Sequence, residues 1–396
     1  MFKKLNKALA KPAIRFIKLY QYTLSPDKWL PSFRLKGRIC AHEPHCSKYS
    51  VNVLKRYWFW PGIFYATDRV LHCTASMHKH YDPEHYKVVF FSSAPIGVPF
   101  LEHLAEDKRF EVVGVVTQCD KPSGRGMEMC ENIIKKTAKH IFCHHQNESS
   151  VIISPTKLNP EKSEEGHQFA ERLKEKNPDL LVVIAYGKII PQAILDIPKI
   201  APINVHGSLL PKYRGASPIQ STLLNNDKET WITIMKMDAT MDTGNMIDIL
   251  RFRIPFQWTT KELIDEMKKI GPKFLNTTLR KFWKKMLGEV KQNEEKATYC
   301  GKIEKESWLI DPRNNSIETI YNKYRAFYLW PKIYFILDDK RVIIEELKLN
   351  EPLYNSNDEV PLFKGKELHP AVIDIKIKPE GKKAMDRKEF LNGYIK

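Results

Sequence analysis

Apolar residues along this chain gather in short, nearly unbroken runs. KVVFFS (Lys87–Ser92), FEVVGVVT (Phe110–Thr117), DLLVVIA (Asp179–Ala185) and PINVHG (Pro202–Gly207) are four of them. Runs of this length without polar alternation predict strands covered on both faces, as in a parallel sheet. A tight turn at Ser93–Pro95 and a helical segment, Ile96–Glu106, separate the first two, so the stretch opens as β-α-β. Two further strands, WITIMKM (Trp231–Met237) and NMIDILRFRI (Asn245–Ile254), flank a turn that contains Asp242-Thr243-Gly244. A long helical segment follows from Thr260 to about Val290; it is rich in lysine and includes Lys273, Lys281, Lys284 and Lys285. After about residue 297 the runs become β-like again: IYFILDD (Ile333–Asp339), RVIIEELKL (Arg341–Leu349) and AVIDIKI (Ala371–Ile377). They predict a small sheet or barrel in a separate C-terminal domain.

The first 86 residues follow another pattern. In MFKKLNKALAKPAIRFIKLYQYTL, Leu9, Ile14, Ile17, Tyr20 and Leu24 fall near helical spacing and lysines take the other face. This predicts a basic amphipathic helix, interrupted near Pro12. Such a helix suits either a membrane interface or the surface of a small soluble domain. The most apolar segment, YWFWPGIFYA (Tyr57–Ala66), is too short to span a bilayer and contains Pro61. The basic N-terminus lacks an apolar core with a small-residue cleavage site, so no secretory leader is expected.

Charge sharpens this division. The 396 residues, enough for two or three domains, carry a net charge of +17. Residues 1–86 hold 15 Lys and Arg against 5 Asp and Glu, so a net of +10 sits in about a fifth of the chain. Polyanions, nucleic acid or an anionic membrane surface, are the partners such a surplus favours. The seven cysteines are an odd number in a long chain, which fits a reducing, cytosolic compartment better than a disulfide scaffold. Cys40, His42, His45, Cys46, His72 and Cys73 are metal-ligating types, but C-x5-C is not a common zinc spacing. A structural cysteine core is the expectation for Cys40, Cys46 and Cys73, with no metal.

Candidate chemistry lies in NVHGSLLPKYRGASPI (Asn204–Ile219). Side chains alternate along a strand, so Asn204 and His206 point the same way. They sit at the carboxyl end of a predicted strand, where open α/β sheets place their sites. An amide that can hold an oxyanion beside an imidazole that can manage a proton suits acyl transfer. Asp242, on its turn, could fold over His206 and orient the ring. Singly, each residue also has a structural account.

In combination these motifs are specific. NVHGSLLPKYRGASPIQ with MDTGNM, the opening KVVFFSSAPIGVPFLEHL, the loop VVTQCDKPSGRG, NPDLLVVIAYGKIIP, RAFYLWPKIYF and EGKKAMDRKEFLNGY resemble the 10-formyltetrahydrofolate-dependent formyltransferases, the methionyl-tRNA formyltransferase family in particular. The resemblance covers about Lys87 to Lys396. It implies that Asn204, His206 and Asp242 are catalytic and that Ser208, Leu209, Leu210 and Pro211 contact the folate, with Tyr186 and Gly187 on the folate-side loop. It also implies that Arg125 meets the acceptor end of the tRNA. Lys121 beside it, and Lys281 and Lys284 on the basic helix, extend that surface. The implied donor is 10-formyltetrahydrofolate, the implied acceptor initiator methionyl-tRNA, and a monomer without metal is expected. A formyltransferase acting on a nucleotide or sugar amine is the alternative, which the C-terminal domain and the basic helix disfavour.

Two departures stand out: Ser93-Ala94-Pro95 where the family has Gly-Thr-Pro, and Trp231 where it has a small residue. Residues 1–86, through IRFIKLYQYTLSP, CAHEPHCSKYS, RVLHC and YDP, resemble the membrane protein insertion efficiency factors. That resemblance implies a peripheral place on the cytoplasmic face of the inner membrane, near the insertase. The expected architecture is therefore a helical module at 1–86, a Rossmann-like α/β formyltransferase domain with a parallel-sheet core at 87–290, and a β-barrel, OB-like tRNA-binding domain at 291–396.

Overall fold

The computed structural model describes residues 2–23, 42–43, 45–71, 80–81, 85–123, 127–143, 151–283, 286–351, 361–364 and 367–394. The chain divides into two compact units, Met1–Tyr86 with Lys108–Phe110, and the remainder.

The first unit is helical: α1 (Phe2–Thr23), α2 (Cys46–Tyr57) and α3 (Phe59–Leu71) pack together around Ala10, Val53 and Leu54. α1 runs unbroken across Pro12, where an interruption was expected. Proline removes one backbone donor, and a helix anchored by tertiary packing on both sides tolerates that. One such anchor is the backbone N–H of Trp60, which donates to Asn6 Oδ1 at 2.9 Å. Phe16, Leu19, Trp60 and Phe64 remain exposed. Among the described residues no helix is long and apolar enough to cross a membrane.

The second unit is built on a seven-stranded sheet. Its strands are β1 (Tyr86–Ser92), β2 (Phe110–Val116), β3 (Ile152–Ile153), β4 (Leu180–Ile184), β5 (Ala201–His206), β7 (Glu229–Lys236) and β8 (Met246–Arg253), with the short β6 (Arg214–Gly215) outside the sheet. The spatial order is β8-β7-β5-β4-β1-β2-β3. β1, β4 and β5 run parallel, and Val88 to Phe91 and Leu180 to Val182 are wholly buried, as their unbroken apolar runs require. β5–β7 and β7–β8 are antiparallel, so the sheet is mixed rather than purely parallel. For β7–β8 the reason is local: the turn between them is too short for the crossover that a parallel pair needs. Chain order reverses between β1 and β4, and ligands of such sheets bind at this switch point, outside the carboxyl ends of the strands.

Helix α4 (Val98–Glu106) follows a 3-10 turn at Pro95–Gly97. The long helix α5 (Thr260–Trp283) places Leu263, Met267, Leu275 and Leu279 in the core. It is shorter than the predicted span, because Val290 pairs with Met246 in an antiparallel bridge. Beyond a two-residue strand, β9 (Tyr299–Cys300), the chain forms the antiparallel sheet β10 (Tyr334–Leu337), β11 (Lys340–Leu349) and β12 (Val372–Pro379), in that order. Phe335, Ile344, Ile375 and Phe390 fill its core.

Candidate active site

Asn204 and His206 do share one face of β5, and β7 fixes their height: Met235 stands opposite Asn204 and Thr233 opposite His206. The Thr233 hydroxyl donates to the Ser208 carbonyl at 2.6 Å, which starts the turn that leaves β5. Asp242 arrives from the β7–β8 turn. Its turn is held by Asp238, whose carboxylate accepts from the Thr240 backbone N–H (3.2 Å) and the Thr243 hydroxyl (2.7 Å). Asp242 itself has φ 57°, a conformation that Asp tolerates better than most residues.

The three side chains meet. Asn204 Nδ2 donates to Asp242 Oδ1 at 3.3 Å, and the Gly215 backbone N–H donates to Asp242 Oδ2 at 2.9 Å. His206 Nδ1 lies 3.7 Å from Asp242 Oδ2. The other ring nitrogen, Nε2, lies 2.9 Å from the Tyr213 carbonyl. A carbonyl only accepts, so Nε2 carries a proton, and Nδ1 is the nitrogen that faces the carboxylate. His206 is 5% exposed, and Asn204 and Asp242 are half-buried. The Tyr213 carbonyl also accepts from the Cys300 thiol at 3.3 Å, and burial pushes that thiol's pKa up, which keeps it a donor.

The other residues expected at the site divide into two sets. Ser208 is fully buried, its hydroxyl donating to the Lys212 carbonyl at 2.6 Å, and Leu210 is buried beside it. Their side chains build the turn, so their backbone, with half-buried Leu209 and Pro211, is what the turn presents. Tyr186 is buried against Phe91, with its hydroxyl unpartnered among the described residues and its pKa raised by desolvation. Gly187 is exposed at φ 76°, and a Cβ there would meet Gln118 Nε2 at 2.9 Å. Lys121 is exposed on a short hairpin, Lys121–Ser123 against Glu128–Cys130, and Lys281 is exposed at the end of α5. Arg125, Lys284, Lys285, Cys40 and Cys73 lie outside the described residues.

Three participants escaped the sequence reading. Gln118 ties the switch point together: its N–H donates to Ser93 Oγ (3.0 Å), its amide to the Tyr186 carbonyl (2.7 Å), and it accepts from Lys121 (2.7 Å). Arg214 donates to Gln292, whose amide nitrogen donates to the Asp242 carbonyl. Tyr186 follows β4 directly, at the switch point between β1 and β4, and Gly187 is exposed next to it. Trp231 is half-buried on β7, with the Arg251 guanidinium over its ring at 5.6 Å. Among the described residues no group of three His, Cys, Asp or Glu could hold a metal ion.

Comparison with known proteins bears on all of this. The formyl transferase family matches residues 86–279, and its C-terminal domain family matches 302–395. Residues 9–85 match the membrane protein insertion efficiency factor family. Methionyl-tRNA formyltransferase of Caldanaerobacter subterraneus is 36% identical over 316 residues, 78% of this chain and 97% of that one. Methionyl-tRNA formyltransferase of Caldicellulosiruptor saccharolyticus is 35% identical over 318 residues, 78% of this chain and 96% of that one. Among solved structures, HypX from Aquifex aeolicus shares the fold at a TM-score of 0.50 and 14% identity, over 78% of this chain and 50% of that one.

Proposed function

Because the chain belongs to the methionyl-tRNA formyltransferase family, with relatives that it covers almost end to end, we propose that Asn204, His206 and Asp242 perform the transfer. The reaction moves a formyl group from 10-formyltetrahydrofolate to the α-amine of methionyl-initiator tRNA. The donor supplies an electrophilic carbon and departs as an amine that needs a proton.

The residues divide that work. One N–H of Asn204 is committed to Asp242, which aims the other at the oxygen that gains negative charge. His206 Nδ1 accepts the proton that the attacking amine sheds and gives it to the folate nitrogen as the bond between that nitrogen and the formyl carbon breaks. The resulting imidazolium sits beside the Asp242 carboxylate, which stabilises it and returns the ring to the same orientation. Gly215 N–H keeps Asp242 Oδ2 in place through the cycle. The switch point at the carboxyl ends of β1 and β4 takes the folate, with Tyr186, Gly187 and the backbone of Ser208, Leu209, Leu210 and Pro211 around it.

Arg125 and Lys121 meet the acceptor end of the tRNA, and Lys281 and Lys284 meet its backbone further along, since phosphate contacts fix orientation. Residues 87–290 form the catalytic domain and 291–396 a tRNA-binding domain. Residues 1–86 hold the cytoplasmic enzyme against the inner membrane near the insertase, and one copy of the chain suffices.

The observation that carries the catalytic reading is the meeting of Asn204, His206 and Asp242 at the end of β5. Asp242→Asn tests it. Formyl transfer to methionyl-tRNA should fall by about 10²-fold or more with little change in KM. An Asp242→Asn enzyme as fast as the parent would remove the carboxylate from the mechanism.

A further inference from the structure

Arg214 is wholly buried, yet all five of its N–H groups are used. Nε and Nη2 donate to Gln292 Oε1 at 3.0 and 2.9 Å. Nη1 and Nη2 donate to the two oxygens of Glu294, each at 2.8 Å, and Nη1 also reaches Tyr299 OH at 3.2 Å. The backbone follows suit: β6 and β9 pair in parallel, Arg214 N–H donates to the Thr298 carbonyl (2.8 Å) and Ala216 N–H to the Cys300 carbonyl (3.0 Å).

Gln292 has a second side. Its Nε2 donates to the carbonyls of Asp242 (2.8 Å) and Gly244 (2.7 Å), and the residue is 3% exposed. The neighbours leave no choice of orientation: a guanidinium only donates and a carbonyl only accepts, so the amide oxygen must face Arg214 and the amide nitrogen the turn. Glutamate could serve the first side and not the second. We propose that Gln292 is a positioning residue for formyl transfer: through it the chain segment after α5 clamps the backbone of Asp242 and so sets where its carboxylate stands. The segment that leads into the C-terminal domain thereby completes the site.

This rests on Asp242 acting in catalysis, and a double-mutant cycle separates the two claims. Gln292→Glu keeps an acceptor for Arg214, now as an ion pair, and removes both donors to the turn. If Gln292 positions Asp242, Gln292→Glu lowers kcat by about tenfold to a hundredfold and leaves KM for methionyl-tRNA within about twofold. Added to Asp242→Asn, the same change lowers single-turnover rates by less than about twofold, because the group it positions is already gone. A normal kcat in folded Gln292→Glu overturns the proposal, as do effects that multiply in full. Circular dichroism melts accompany each variant. If Gln292→Glu does not fold, Gln292→Met, close in volume and lacking the donors, takes its place in the cycle with the same two criteria. Normal activity in Asp242→Asn alone would instead reject the catalytic reading itself.

Discussion

At the scale of single residues, geometry assigns work to side chains that spacing alone leaves ambiguous. Asn204 and His206 are legible in the sequence because a strand repeats every two residues, and β5 is a strand. Asp242 is legible only through the company of its motif. Gln292 is not legible at all: it lies 50 residues beyond Asp242, and nothing in QNEE marks it as a buried amide rather than a surface one. The Tyr213 carbonyl is equally hidden, since no side-chain pattern reports a backbone acceptor. Gly215 offers a test at this scale. It has φ 125°, and a Cβ there would lie 2.1 Å from the Cys300 carbonyl. Gly215→Ala should push β6 and β9 apart, move the N–H that holds Asp242, lower stability by about 1–3 kcal/mol and slow transfer. Thermal melts and kcat would show both, and a fully active, equally stable variant would contradict the packing described.

At the scale of elements, the docked segment Lys291–Cys300 is the feature least visible in the sequence. Its strand is two residues long and its partners are distant in the chain. Loop-like composition hides it, because it is held by distant partners, Arg214, the β6 backbone and the carbonyls of Asp242 and Gly244, and not by its own propensity. The Arg214 guanidinium holds the Glu294 carboxyl below the usual carboxylate range. A lowered folded-state pKa means that this contribution is whole above the unfolded value of about 4.3 and is lost as pH falls through the lower, folded one. Amide exchange in 291–300 should therefore hold steady from neutral pH down to about 5 and rise only below about 4, after correction for the intrinsic rate. Opening near pH 6 or 7 would mean that something other than the Glu294 pair holds the segment. The strands were legible through their unbroken apolar runs, whereas the mixed direction of the sheet depends on which strands pair, β5 with β7 as well as β7 with β8, and no single run reports that.

At the scale of the whole molecule, segments matching two unrelated families share one polypeptide. The Caldanaerobacter relative is 97% covered by 78% of this chain, so about a fifth of the chain has no counterpart there. That surplus agrees in size with the basic N-terminal unit. It exposes Phe16, Leu19, Trp60 and Phe64, the first two beside Arg15 and Lys18, and exposed apolar rings next to basic residues are what an anionic membrane surface binds. The full chain should co-sediment with vesicles containing anionic lipid, release as salt is raised, and bind less after Phe16→Asp with Phe64→Asp. Equal sedimentation of the parent and this variant would place the membrane contact elsewhere.

The central claim is that the polar cluster at the end of β5 transfers formyl groups to charged initiator tRNA. Single-turnover formylation of methionyl-initiator tRNA, run with saturating 10-formyltetrahydrofolate on the parent chain and on Asn204→Ala, addresses it most directly. The parent should transfer readily and the variant should lose about 10²–10³-fold, the size expected for removing one oxyanion donor. A variant that formylates methionyl-tRNA at close to the parental rate would contradict it.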